Sequence, residues 1–169
     1  MRRIALLLVL IPLVTASGCG GGSTETVTQV ATQQSGQPLS KAEFIARADV
    51  ICHNHQSRRE DLESQANELG LLNSERAHQV AGLLRKASDN LMAENRELQA
   101  LDPPSTGVGT LRSIVSVIAA EASVIDEWAQ AYDDLNASEI RRLQLRIGEV
   151  TAKAEGIAQG YGFEVCGLN

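Results

Sequence analysis

Ser40-Lys41-Ala42-Glu43-Phe44-Ile45-Ala46-Arg47-Ala48-Asp49-Val50-Ile51-Cys52, SKAEFIARADVIC, opens the folded part of the chain. Its first four residues spell a capping box: the Ser40 hydroxyl can accept from the Glu43 amide while the Glu43 carboxylate reaches back to Ser40. Leu39 before the cap and Phe44 after it suit a hydrophobic staple. From there Phe44, Ile45, Ala48, Ile51, Cys52, His55, Leu62, Ala66 and Leu69 recur mostly every three or four residues, the period of an amphipathic helix. Gly70 ends it. The charge run Arg58, Arg59, Glu60, Asp61 and Glu63 reads as the solvated face of that helix.

Working outward, three more helices follow. Asn73 or Ser74 caps the second, with Ala77, Val80, Ala81, Leu84, Ala87, Leu91, Leu98 and Leu101 on one stripe. Asp102-Pro103-Pro104 stops it, because proline lacks a donor and disfavours helical geometry in the residue before it. The third helix is expected from about Thr110 to Leu135. Its apolar residues (Leu111, Ile114, Val115, Val117, Ile118, Val124, Ile125, Trp128) cover more than one face, so it is either the most buried helix or one with a second side for a partner. Asn136 and Glu139 repeat the capping pattern for a fourth helix carrying Ile140, Leu143, Ile147, Val150, Ala154, Ile157 and Ala158. Gly148, Ala152, Gly156 and Gly160 recur every four residues along it. Each interior glycine costs about 1 kcal/mol relative to alanine, which predicts either close helix packing there or a crevice for a small ligand. The tail Gly160-Tyr161-Gly162-Phe163-Glu164-Val165-Cys166-Gly167 is expected to leave the helix.

Composition agrees with an all-α domain. The chain has 169 residues, aromatic content of 3% and a net charge of -6. So few aromatics leave a core of Leu, Ile, Val and Ala. An acidic chain without a basic tract is a poor partner for nucleic acid or for anionic lipid.

The first 39 residues read as a leader and a tether. Arg2 and Arg3 precede an apolar run from Ile4 to Val14, about half the ~20 residues of a spanning helix, as in an export signal. Ala16-Ser17-Gly18-Cys19 then resembles the lipobox of bacterial lipoproteins, in which the signal peptide is removed before a lipidated cysteine; that family usually has Leu where Ala16 stands. This resemblance implies a signal peptide over 1–18, lipidation of Cys19 and an anchor in the outer face of the cell membrane. Ordinary secretion with cleavage after Ala16 is the competing reading, and it leaves Cys19 as an odd thiol. Residues 19–39, rich in Gly, Ser, Thr and Gln, cannot bury enough apolar surface to fold and read as a disordered tether.

Of the three cysteines, Cys52 and Cys166 remain for the domain at 40–169. Short connections favour an up-down-up-down four-helix bundle. A first helix of about 42 Å and a fourth of about 33 Å let the tail descend to the level of Cys52, so a Cys52–Cys166 disulfide is expected, with Phe44, Tyr161 and Phe163 beside it.

Taken together, the lipobox, the polar tether, the opening LSKAEFIARADVIC, the helix end LQALDPP and the finish YGFEVCG resemble a group of small actinobacterial lipoproteins. The resemblance implies location and disulfide, and supplies no catalytic residue.

The remaining constellations carry little chemistry. In Cys52-His53-Asn54-His55, Cys52 and His55 share a helix face while His53 turns about 100° away, and an oxidised Cys52 is no ligand. Glu75-Arg76-Ala77-His78 matches half of a di-iron carboxylate motif that needs a second copy. No nucleotide loop and no nucleophile motif is present. The expectation is therefore a protein with no cofactor and no catalytic or metal site, anchored through Cys19. A binding or structural role would then involve an envelope partner or self-association through the third helix. A small-ligand or metal-binding lipoprotein is the alternative.

Overall fold

The computed structural model describes residues 38–69 and 73–167. The leader, Cys19 and residues 19–37 of the tether lie outside them. The described part is an all-α, up-down-up-down four-helix bundle: α1 Lys41–Glu68, α2 Ser74–Gln99, α3 Val108–Asp133 and α4 Ala137–Tyr161.

The starts of three helices follow from their caps. Ser40 Oγ accepts from the Glu43 amide at 3.3 Å and Glu43 Oε2 accepts from the Ser40 amide at 3.0 Å, so both halves of the capping box form. Asn73, rather than Ser74, caps α2 by accepting from the Arg76 amide, and Asn136 caps α4 by accepting from the Glu139 amide. The third helix differs. It begins at Val108 with no side-chain cap, because the Pro103-Pro104 turn delivers Gly107, whose amide bonds the Pro104 carbonyl, straight into the first turn. The fold also reaches one residue further back than the tether reading: Leu39 is 5% exposed, and its amide donates to the Asp102 carbonyl at 2.9 Å.

α3 is the centre of the bundle, packed against α2 on one side and α4 on the other. Ile114, Val117, Ile118, Val124, Ile125 and Ala129 are buried. Its mean hydropathy of 1.6 makes it, among the described residues, the helix long and apolar enough to cross a membrane. Its breadth of apolar surface has a simpler cause here, since two neighbours must be covered.

α1 packs on α2, α2 on α3 and α3 on α4, but α1 and α4 are not in backbone contact. The tail joins them. Cys52 and Cys166, 2% and 3% exposed, form a disulfide with Cα atoms 5.1 Å apart, across 114 positions of sequence. Phe44 stands edge-on to both Tyr161 and Phe163, with centroids 6.0 and 5.8 Å away. Burying a phenylalanine as fully as Phe44 contributes about 1.5–3 kcal/mol.

Two helix ends correct the sequence reading. α4 runs past Gly160 and turns at Gly162, whose φ of 102° lies in the left-handed region; the later glycine makes the turn and Gly160 stays helical. α3 stops at Asp133, before Leu135, because Leu135 itself takes φ 54°. There the Asn136 amide bonds the Ala131 carbonyl and the Leu135 amide bonds that of Tyr132, a Schellman closure with leucine at the position glycine usually occupies.

A left-handed conformation costs an L-residue about 1–2 kcal/mol, offset in part by the greater unfolded-state entropy of glycine. Leu135 is also exposed. Leu135→Gly is therefore expected to raise unfolding stability by about 0.5–1 kcal/mol, measured by urea denaturation with the disulfide intact. Removing the disulfide as Cys52→Ser with Cys166→Ser is expected to lower stability by up to about 4–5 kcal/mol in the same assay.

Candidate functional site

Two features stand out around the disulfide: the clamp that holds the tail, and a polar layer beneath it. The clamp is Asp49, one turn before Cys52. Its carboxylate accepts from the backbone amides of Glu164, Val165 and Cys166 at 3.0, 3.0 and 2.9 Å. Three successive amides turned towards one carboxylate form the kind of anion nest that a short chain reversal produces. Gly167, at φ 74°, then lies against α4, where a Cβ would come 2.8 Å from the Ala158 Cβ and 3.1 Å from the Ala154 carbonyl oxygen. Asp49 was not singled out from the sequence. Its only signal is position, three residues before a cysteine on the same helix side.

Those contacts relocate the small-residue reading of α4. Close approach does occur, but at Ala154 and Ala158 and by the tail. Gly148, Gly156 and Gly160 have nothing within 4 Å of where a Cβ would stand, so neither close packing nor a crevice accounts for them. They occupy the outer side of α4, together with Leu145, which is 75% exposed.

Beneath the tail lies a narrow crevice of about 40 Å³ between α1 and α4, bordered by the disulfide, by Leu91, Ile114 and Ile118, and by Arg59, Glu94 and Glu121. Arg59 donates to Glu94 at 2.6 Å. Glu94 is only 4% exposed, and its burial pushes the carboxyl above its ordinary value despite the pull of the guanidinium. A dry site penalises charge more than a single partner offsets. Glu121 is shifted in the same direction, again chiefly by burial, with the nearby Glu94 adding to it and Arg59 opposing. The Thr151 hydroxyl of α4 donates to Glu121 at 3.3 Å.

The histidine-rich stretch resolves into structural roles. Cys52 is oxidised and His53 is exposed. His55 is buried, with Nδ1 2.8 Å from Asn90 Oδ1 and Nε2 3.2 Å from Glu97 Oε1. The Asn90 amide nitrogen donates to the His55 carbonyl at 3.0 Å, which turns Oδ1 towards the ring and makes Nδ1 the donor. Both ring nitrogens are thus engaged within the protein. His78 lies on the surface, its Nδ1 2.8 Å from Asp133 Oδ1; with Arg85 also on that carboxylate, Asp133 is held below its usual range. Among the described residues, no group of three or more His, Cys, Asp or Glu is placed to hold a metal ion.

A second concavity, a shallow groove of about 420 Å³, runs between α1 and α2, lined by Arg58, Asp61, Leu62 and Gln65 facing Lys86, Asp89, Asn90 and Ala93. Part of the charge run read as a solvated face therefore forms one wall of this groove. Among the described residues, the buried Trp128 Nε1 and Tyr161 Oη lack hydrogen-bond partners; the latter occupies the space a Gly107 side chain would need, 2.5 Å from its Cβ position. Compared with known proteins, the chain matches no family model, no curated protein and no solved structure.

Hydrogen bonds to a charged acceptor contribute about 1.5–3 kcal/mol. Asp49→Ala is expected to lower stability by about 2 kcal/mol in urea denaturation. With the disulfide still formed, it should also speed proteolytic cleavage after Phe163, read by mass spectrometry.

Proposed function

We propose that this chain is a lipid-anchored protein of the outer face of the cell membrane, with a binding or structural role in the envelope. The observation that carries this reading is the buried Cys52–Cys166 bond, because structural disulfides persist in oxidising compartments outside the cytosol. An export signal and a third cysteine at Cys19 agree with it.

The nature of that role follows from what is exposed. The partner face read from the sequence on α3 is largely taken up between α2 and α4, leaving Val108 as its exposed large apolar residue. The glycine-lined side of α4 is open, and docking of an envelope protein belongs there. Small-ligand binding finds less support. The crevice of about 40 Å³ falls far below the ~300–1,000 Å³ of pockets for organic ligands, and the larger groove is shallow and charged.

Cys19→Ala is expected to abolish incorporation of labelled palmitate and to move the protein from the membrane pellet to the soluble fraction. Wild-type protein that takes up no label, or a variant that stays in the pellet, overturns the anchor.

A further inference from the structure

The tail is held to the bundle by more than its sulfur bond. Before Cys166, the Phe163 ring is buried against Phe44, with centroids 5.8 Å apart, and the Phe163 amide donates to the Ala158 carbonyl at 3.1 Å. After Cys166, Gly167 lies so close to Ala154 and Ala158 that a side chain there would not fit. Between these two contacts, the Asp49 carboxylate accepts from three successive amides, and the last of them belongs to Cys166 itself. Asp49 stands one turn before Cys52 on the same side of α1. The backbone of Cys166 is thus fixed beside Cys52 by contacts that need no sulfur.

An unfolded chain does not favour this pairing. Cys52 and Cys166 are 114 positions apart, and Cys19 is far nearer to Cys52 in sequence. The cost of closing a loop grows with the logarithm of its length, so an unfolded chain brings Cys19 to Cys52 roughly six times more often than it brings Cys166 there. Cys166 prevails only where folded structure holds it in place. A single hydrogen bond to a charged acceptor is enough to reverse a bias of that size, and Asp49 accepts three.

We propose that Asp49 is a positioning residue for the Cys52–Cys166 bond: its carboxylate docks the tail while both cysteines are still thiols, and so selects Cys166 over Cys19 as the partner of Cys52. Docking comes first and sulfur locks it. In the locking step the two thiols give up two protons and two electrons as the S–S bond forms, and a disulfide oxidant such as oxidised glutathione takes them up and parts into two thiols. An asparagine at this position keeps the shape, but its single carbonyl oxygen cannot replace both carboxylate oxygens, and its NH₂ group cannot accept from an amide. The inference rests on the fold alone and stands whether or not Cys19 later carries lipid.

Thiol–disulfide exchange of the full, unlipidated chain in detergent micelles tests it, using glutathione buffers, trapping by alkylation and mapping of the pairs by mass spectrometry. The readout is the effective concentration of the Cys52–Cys166 pair relative to glutathione. The control is Asn73→Ala, which removes the α2 cap at the opposite end of α1 and destabilises the domain without touching the tail. Asp49→Asn is expected to lower the effective concentration at least threefold more than Asn73→Ala does, and to raise the share of Cys19–Cys52. A smaller difference, or no rise in Cys19–Cys52, overturns the role. Should Asp49→Asn fail to fold, hydrogen exchange of the unaltered chain in excess dithiothreitol decides: Val165 and Cys166 amides at least tenfold slower than in an unfolded chain show the reduced tail docked, and faster exchange refutes the proposal.

Discussion

The attachment of the tail to α1 is the constraint on which the rest of the structure depends. Successive helices of an up-down bundle find each other through short connections, and the cost of closing such loops is small. The first and last helices have no such help. Here they do not meet backbone to backbone at all, and the ring is closed by Cys166 bonded to Cys52 and by three tail amides bonded to Asp49. The two links are adjacent on α1, so each holds the other in register. A covalent bond alone would let the tail swivel; the carboxylate fixes its backbone, and Gly162 supplies the left-handed turn that brings it there.

Closing the bundle this way leaves its middle unusual. A core of aliphatic side chains surrounds Glu94 and the His55–Asn90 pair, with Arg59 and Glu121 half-buried beside Glu94. Polar groups at this depth are tolerated when their partners are in place and costly when they are not. His55, Asn90 and Arg59 are well supplied with partners, and Glu121 is the least so. The least supported of these groups thus lies beside the crevice under the tail.

The exterior follows from the same arrangement. With α3 enclosed by α2 and α4, the apolar surface that most resembled a partner site is consumed in the core. α4 becomes an edge helix with Leu143 and Ala158 as its buried anchors, and its glycines look outward. Glycine lowers helix stability wherever it falls, and nothing inside the domain accounts for these three. The outer side of α4 is thus the surface whose composition the fold leaves unexplained.

Periodicity and caps decided the four helices, because both act within a few residues of one another: Ser40 with Glu43, Asn73 with Arg76, Asn136 with Glu139. The disulfide pairing was also legible, since cysteine count and helix lengths left one geometrically sensible choice. Other features lay beyond any local signal. Asp49 bonds residues more than a hundred positions away; Arg59 looked like one member of a solvated charge run until α2 placed Glu94 against it; the small residues of α4 were read at Gly148, Ala152, Gly156 and Gly160 when the tail uses Ala154 and Ala158. In each case the deciding partner comes from a distant part of the chain. A helical pattern states which side of a helix is apolar, but which neighbour covers that side, and which charge is buried in doing so, is settled only when the helices are packed.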